Sequence, residues 1–320
     1  MTDERRVSKI GVSAHVRTLG PVVIADLDTL LTALYVELTD RIIPSRGTRR
    51  RGPGRPPVLS DAELVCLAVA RVLLRCDDER RRLRVAPGRV GHLFLRLPGQ
   101  SAYDARLRDA APLMEAALRW LAGRTPSAAE PLRLMDGTPV RCGASRATAL
   151  RSGLAGAASY GHDACHHCFF WGAKLMLAAT ADGVITAFGL ASPKLAGERE
   201  EALAMLRHRK NLPPAGTVIV ADKGFAGRDF EASLAGMDLH LVRPARRDEP
   251  RRPFPGWLRQ RVEAIIWTLK GQLGLDRHGG RVPAGLRARV VQRLLALNTA
   301  IWHNWATGAP TKRSLTAYDH

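Results

Sequence analysis

Thr217-Val218-Ile219-Val220-Ala221-Asp222-Lys223-Gly224-Phe225 is an apolar run that ends on a carboxylate. A short, continuous, β-branched run bounded by polar and glycine residues reads as a strand buried on both faces of a sheet. Around it the helical spacing predicts helices over Glu198 to Arg209 and Arg228 to Leu234, and Leu239-His-Leu-Val-Arg243 reads as a further strand. Upstream, Pro131-Leu-Arg-Leu-Met-Asp136 reads as a short strand ending on a second carboxylate. Cys168 to Ala179 and Gly183 to Gly189 then form a predicted hairpin with its turn at Ala181-Asp182-Gly183. A long amphipathic helix from Trp257 to Leu273 closes the series. The order βββαβαβα predicts an α/β domain with a mixed sheet flanked by helices.

The residues before this unit read differently. Asp26-Leu-Asp-Thr29 caps an amphipathic helix through Leu38, and Ser60-Asp-Ala-Glu63 is a capping box for a helix through Leu74. Helical spacing recurs over Val90 to Leu97 and Tyr103 to Leu121, and Gly123-Arg-Thr-Pro-Ser127 breaks it. The expected organisation is therefore a weakly patterned extension over 1–25, a basic all-helical domain over 26–127, and the sheet domain over 128–320. Between the first two helices, Arg41 to Ser60 holds six basic and no acidic residues, Arg50 and Arg55 among them. This stretch reads as a basic loop, and Gly54-Arg55-Pro56 has the form of a minor-groove contact.

Composition narrows the partners. The chain has 320 residues, 49 Lys plus Arg against 30 Asp plus Glu, and a net charge of +19, which favours a polyanion such as nucleic acid. Coding bias explains an arginine-rich basic complement but not its excess over acids. No apolar span reaches the length a membrane requires, and no signal-peptide pattern stands at the N-terminus. Five scattered cysteines are not a disulfide framework and point to a reducing cytosol.

Three acids stand out: Asp136 and Asp222 at strand ends, and Glu263 on the helix after the last strand. A single strand-end Asp is ordinarily a turn residue, and a helical Glu is ordinarily solvated. Together they supply oxygen ligands suited to two Mg²⁺ or Mn²⁺ ions, which clamp an in-line phosphoryl displacement. At about 100° per residue Arg259, Glu263 and Lys270 share one helix face, where the cations would flank the carboxylate and hold phosphates; a plain salt-bridge ladder is the alternative. Arg243, Arg246, Arg247, Arg251 and Arg252 form a second basic run before this helix. His162 to Cys168 has zinc-like Cys and His spacing but lacks a second ligand pair, so it reads as a loop with incidental thiols. Trp171, Trp257, Trp267, Trp302 and Trp305 are candidates for stacking on unpaired bases, with core packing the default for most.

Asp136-Gly-Thr-Pro, Tyr160-Gly161 with Phe170-Trp-Gly-Ala-Lys-Leu175, Ala221-Asp-Lys-Gly-Phe225, and Arg259-x-x-x-Glu263 with Lys270 occur in one order. This ordered set resembles the DDE insertion-sequence transposases, which have an RNase H-like core, over about residues 26 to 320. Ile266 to Arg281 and Ala300 to Asn304 resemble an actinobacterial-type branch. The resemblance implies a metal-binding catalytic triad of Asp136, Asp222 and Glu263 with two Mg²⁺ or Mn²⁺ ions. It implies that Arg259 and Lys270 are the basic partners flanking the Glu, holding phosphates with Lys223; the two basic runs add Arg246, Arg247, Arg50 and Arg55 as DNA-binding candidates. The implied partners are double-stranded DNA at element ends and target, bound by a homodimer in the bacterial cytoplasm at the nucleoid, with no membrane. This sequence has Gly137 after the first acid where the family pattern has Ser, Gly256 where a Tyr often precedes the Arg, and Phe225 as the aromatic after Gly224. The short interval from Asp222 to Glu263 leaves no room for a large β insertion. The alternatives are an RNase H-like nuclease without strand transfer and a non-catalytic DNA-binding protein from a decayed element.

Overall fold

The computed structural model describes residues 26–46, 56–143, 146–163, 168–194, 197–208, 211–250, 253–310, 315 and 318. The extension over 1–25, Arg50 and Arg55 of the basic loop, Cys165, His166 and His167, and Arg251 and Arg252 lie outside the described residues.

The N-terminal part is helical. Helix α1 (Leu27–Glu37) starts at Asp26, whose carboxylate accepts from the Thr29 N–H at 2.7 Å while the Thr29 hydroxyl receives the Asp26 N–H. Helix α2 (Asp61–Leu73) starts at Ser60 with the reciprocal Ser60 and Glu63 bonds of a capping box. Helix α3 (Glu79–Val90) precedes the stretch expected to be helical, and beyond a short 3-10 turn at Gly91–Leu93 the chain is not helical through Leu97. Its charged start, Glu79-Arg-Arg-Arg, hides the apolar period, while the Asp78 carboxylate caps it by accepting from the Arg81 N–H. The expected helix over Tyr103 to Leu121 is two, α4 (Gln100–Asp109) and α5 (Ala111–Gly123). Pro112, which has no N–H to give a continuing ladder, stands in the first turn of α5.

The sheet has six strands: β1 (Leu132–Gly143), β2 (Ser159–Asp163), β3 (Cys168–Ala179), β4 (Ile185–Ala191), β5 (Thr217–Val220) and β6 (Leu239–Val242). The order is β2-β3-β1-β5-β6, with β4 also on β3. Strands β1, β5 and β6 are parallel; β1 with β3, and β3 with both β2 and β4, are antiparallel. This is the mixed, RNase H-like sheet that was expected. A short helix α6 (Arg146–Arg151) and strand β2 are additions to the expected order. Helices α7 (Glu198–Arg207) and α8 (Arg228–Ala235) join β4 to β5 and β5 to β6.

Strand β1 is longer than expected, so Asp136 does not end it. Pairing with β3 runs on through Gly143, whereas the parallel ladder with β5 stops at Leu134 opposite Val220. Past that point β1 has β3 alone as its neighbour, which accounts for Pro139 within a strand. Asp136 thus lies just beyond the place where β5 leaves β1.

The C-terminal part also departs from expectation. Helix α9 (Gly256–Trp267) continues as a π-helical turn over Thr268–Gln272, and the last helix is α10 (Pro283–Ala306), which the apolar period does not announce. Almost every residue of α10 from Leu286 to Asn304 is buried, so it has no polar face to reveal its period. It packs against α5, α2, α4 and α1 as well as β4. One apolar core accordingly runs from Leu34 on α1 through Leu67, Leu118 and Leu294 to Leu175 and Leu177 on β3. Asn298 of α10 joins the layers: its side chain accepts from the Ile185 N–H at 2.8 Å and donates to the Ile185 and Leu118 carbonyls. On the other face a smaller core of Met135, Met176, Leu206, Ile219, Phe225 and Phe230 lies under α7 and α8.

Candidate active site

The site forms where parallel strands part. Asp136 is half-buried on β1, and its Oδ1 accepts from the next N–H, that of Gly137, at 2.8 Å. Asp222 lies two residues past β5 and caps a 3-10 turn, Lys223–Phe225, where its Oδ1 accepts from the Lys223 N–H at 2.7 Å. Adjacent parallel strands thus bring the two aspartates to the same end of the sheet, the usual place for a ligand site in such sheets.

Helix α9 supplies the other groups. Leu258, Val262 and Ile265 are its buried side, while Arg259 and Glu263 are exposed. Arg259 Nε lies 3.0 Å from Glu263 Oε1, and Arg259 Nη1 lies 3.5 Å from Asp222 Oδ1. One guanidinium therefore spans two of the three predicted carboxylates, and its charge reaches the third, Asp136. The Asp222 and Glu263 side chains remain open to solvent, so these pairs contribute little to stability.

Asp136 is electrostatically unlike an ordinary carboxyl. Burial pushes its pKa up to about 7; the Gly137 N–H works against this, the charges of Glu198 and Asp222 add to it, and Arg259 lowers it. Asp136 faces a concentration of negative charge that Arg259 only partly balances. Among the described residues no group of three or more His, Cys, Asp or Glu side chains is gathered closely enough to hold a metal ion. Arg259, held by two of the carboxylates, carries the compensating positive charge.

The remaining predicted residues divide. Lys223 is exposed on the turn after Asp222. Lys270 lies in the π-helical turn and points at Asp276, with Nζ to Oδ2 at 3.7 Å, so the π turn separates it from the Arg259 and Glu263 row. Arg246 Nη2 donates to the Ala226 carbonyl at 2.9 Å and Arg247 is exposed, while neighbouring Arg243 is fixed between Glu231 and Glu249. Trp171 and Trp302 are core residues, whereas Trp257 and Trp267 are exposed on α9. Two groups beside the acids were not singled out from the sequence: Glu198, first residue of α7, and Lys174 of β3, whose Nζ lies 2.5 Å from Glu198 Oε1. An acid in a first helical turn is too common to mark a site.

Residues 127–256 are similar to the transposase DDE domain. The similarity covers all six strands with Asp136 and Asp222, and it ends at the first residue of the helix that carries Arg259 and Glu263, short of both. It supports transposase chemistry, and with it DNA recombination and DNA as substrate, as the general reading of this sheet. No curated protein and no solved structure matches the chain. Among the described residues no helix is long and apolar enough to cross a membrane.

Proposed function

We propose that the chain is an insertion-sequence transposase of the DDE type, which binds the terminal inverted repeats of its element and catalyses metal-dependent DNA cleavage followed by strand transfer. The observation that carries this reading is the bridge from Arg259 to Asp222 and Glu263 at the sheet end that also holds Asp136. The similarity of residues 127–256 to the transposase DDE domain and the net charge of +19 support it.

The donors fit a hard divalent cation: all are carboxylate oxygens, and the strongly disfavoured charge on Asp136 is one that a cation would relieve. Two Mg²⁺ or Mn²⁺ ions, when bound, would supply Lewis-acid activation of the attacking oxygen and neutralise charge on the phosphoryl group. Asp136 and Asp222 would hold them from the two strands, and Glu263 would complete the set from α9. Arg259, once its carboxylates are otherwise balanced, is placed to hold the scissile phosphate, with exposed Lys223 on the adjacent turn as a second contact. Lys270 would act further along α9. Arg246 and Arg247 would hold flanking backbone, with Arg50 and Arg55 of the basic loop contributing from the N-terminal side.

On the same reading residues 26–127 form the DNA-binding part and 128–320 the catalytic part. The protein would act as a homodimer on element ends and target DNA in the bacterial cytoplasm, at the nucleoid. The test is cleavage of a labelled duplex made from the DNA that flanks the gene. Nicks that leave a 3′-OH in Mg²⁺, and none in EDTA, support the reading. Binding without cleavage under any metal condition would assign a non-catalytic DNA-binding role instead.

A further inference from the structure

The edge of β1 that β5 vacates at Leu134 passes Asp136 and is taken up again at Arg141 by the segment after α9. There the Asp276 carboxylate accepts from the Arg141 N–H at 3.3 Å, and His278 Nε2 donates to the Arg141 carbonyl at 3.1 Å. Between this segment, the end of β1 and α6 lies a cavity of about 560 Å³. That volume is within the range of about 300–1,000 Å³ found for sites that enclose a ligand. Cys142, Ala147 and Leu154 form its apolar wall.

The charge of the cavity is one-sided. Arg151, the last residue of α6, and Arg281 line it, and among the described residues neither has an acidic partner. Asp276 is the one acid among its described lining residues, and it is already met by Lys270 Nζ at 3.7 Å and by the Arg141 N–H. Helix α10 begins two residues after Arg281 without a side-chain cap, so its positive end adds to the field there. Two guanidinium groups beside an apolar wall suit a phosphodiester and its sugar. We propose that this cavity is a second DNA contact, in which Arg151 and Arg281 hold a backbone phosphate of the strand that is cut. The proposal rests on the DNA reading above and sets where that strand lies on the sheet. Arg141 is five residues beyond Asp136, which is about 17 Å at about 3.4 Å per strand residue. At about 3.4 Å of rise per nucleotide, the phosphate held here stands about five nucleotides from the one at the acids.

The test is binding of a labelled duplex made from the DNA that flanks the gene, by the full chain in EDTA, across a series of salt concentrations. Wild type is compared with Arg151→Gln, Arg281→Gln, Ala147→Trp and Arg207→Gln. In each cavity arginine variant the affinity should fall, and the slope of log affinity against log salt should become shallower by about 1, the loss of one phosphate contact. Ala147 is exposed, so the tryptophan fills the cavity without touching the core and without changing charge; it should weaken binding as well. Arg207 is exposed on α7, which covers the other face of the sheet, and its loss should leave affinity and slope at the wild-type values. Equal losses in Arg151→Gln and Arg207→Gln would mean diffuse attraction, and wild-type binding by Ala147→Trp would mean that DNA does not enter the cavity; either overturns the proposal alone. Binding of deoxyadenosine monophosphate that Arg151→Gln abolishes, with duplex binding unchanged, would assign the cavity to a free nucleotide and overturn it too. If wild type binds no duplex, the DNA reading fails and the proposal with it.

Discussion

Arg259 lies 3.0 Å from Glu263 and 3.5 Å from Asp222, so a single guanidinium from α9 ties the helix to the end of β5. An arginine so placed balances carboxylates of the chain, and on the proposed function it would also hold a phosphate whose charge those carboxylates would otherwise repel.

Replacing Arg259 should separate these roles. In Arg259→Ala the acids repel each other without relief, so metal-free protein should melt below wild type. Mg²⁺ should raise its melting temperature by more than it raises that of wild type, because no organic cation competes. DNA cleavage should nonetheless be lost, since the phosphate contact has gone. Calorimetric scans with and without Mg²⁺ check this; an unchanged Mg²⁺ increment would remove Arg259 from the site.

Asp136 should make the metal-free protein sensitive to pH in a definite direction. Its folded pKa of about 7 is above the ordinary carboxyl value, so folding favours the protonated form. That stability is fully present below the unfolded pKa near 3.8 and is lost as pH rises toward and through 7. Asp136→Asn, which has no charge to bury, should therefore be more stable than wild type at pH 8, by a margin that shrinks toward pH 4, while being inactive. Melting temperatures across that range, in EDTA, give the comparison; a margin that does not change with pH contradicts it.

Glu79 is the hub of a buried ionic cluster that joins α3 to α2 and α10. It lies 2.6 Å from Arg71, 2.7 Å from Arg82 and 2.8 Å from Arg289, all nearly inaccessible. The three guanidinium groups also surround the ring of Tyr103, Arg82 most closely at 4.5 Å. Removing the acid leaves buried positive charges unpaired, a loss of about 3–5 kcal/mol. Urea unfolding of Glu79→Ala should show that loss, and a loss below about 1 kcal/mol would mean that water takes the place of the carboxylate.

His278 predicts an acid limit. Burial and the charge of Arg293 hold its pKa down at about 4, against hydrogen-bonding to the Arg141 carbonyl. Its Nδ1 accepts from the Gly280 N–H at 2.9 Å, which requires the neutral ring. The stability it contributes is present above its ordinary value of 6.5 and is lost as pH falls toward 4. His278→Gln should flatten the decline in melting temperature between those pH values, measured against wild type.

Legibility in the sequence followed the physics of each element. The capping residues Asp26 and Ser60, the whole of β3, and the start of α7 at Glu198 were all placed by local signals, because those signals act within a few residues. The extent of β1 was not legible: Gly137-Thr-Pro139 reads as a break, and only the partner β3 keeps it extended. Helix α10 was hidden because burial on all sides erases amphipathic period, and α3 because its exposed arginines do the same from the opposite direction. The sequence singled out Asp136, Asp222 and Glu263, and in the structure Arg259 bridges the last two while its charge reaches the first. The ion pair of Glu198 with Lys174 was not legible, since it exists only after β3 and α7 have packed.

The most direct measurement is strand joining. A labelled duplex bearing the element's own ends is incubated with target DNA in Mg²⁺, with wild type, with Glu263→Ala, and with wild type in EDTA. Joined product from wild type alone is the predicted result. Cleaved but unjoined DNA from wild type would contradict it and assign a nuclease.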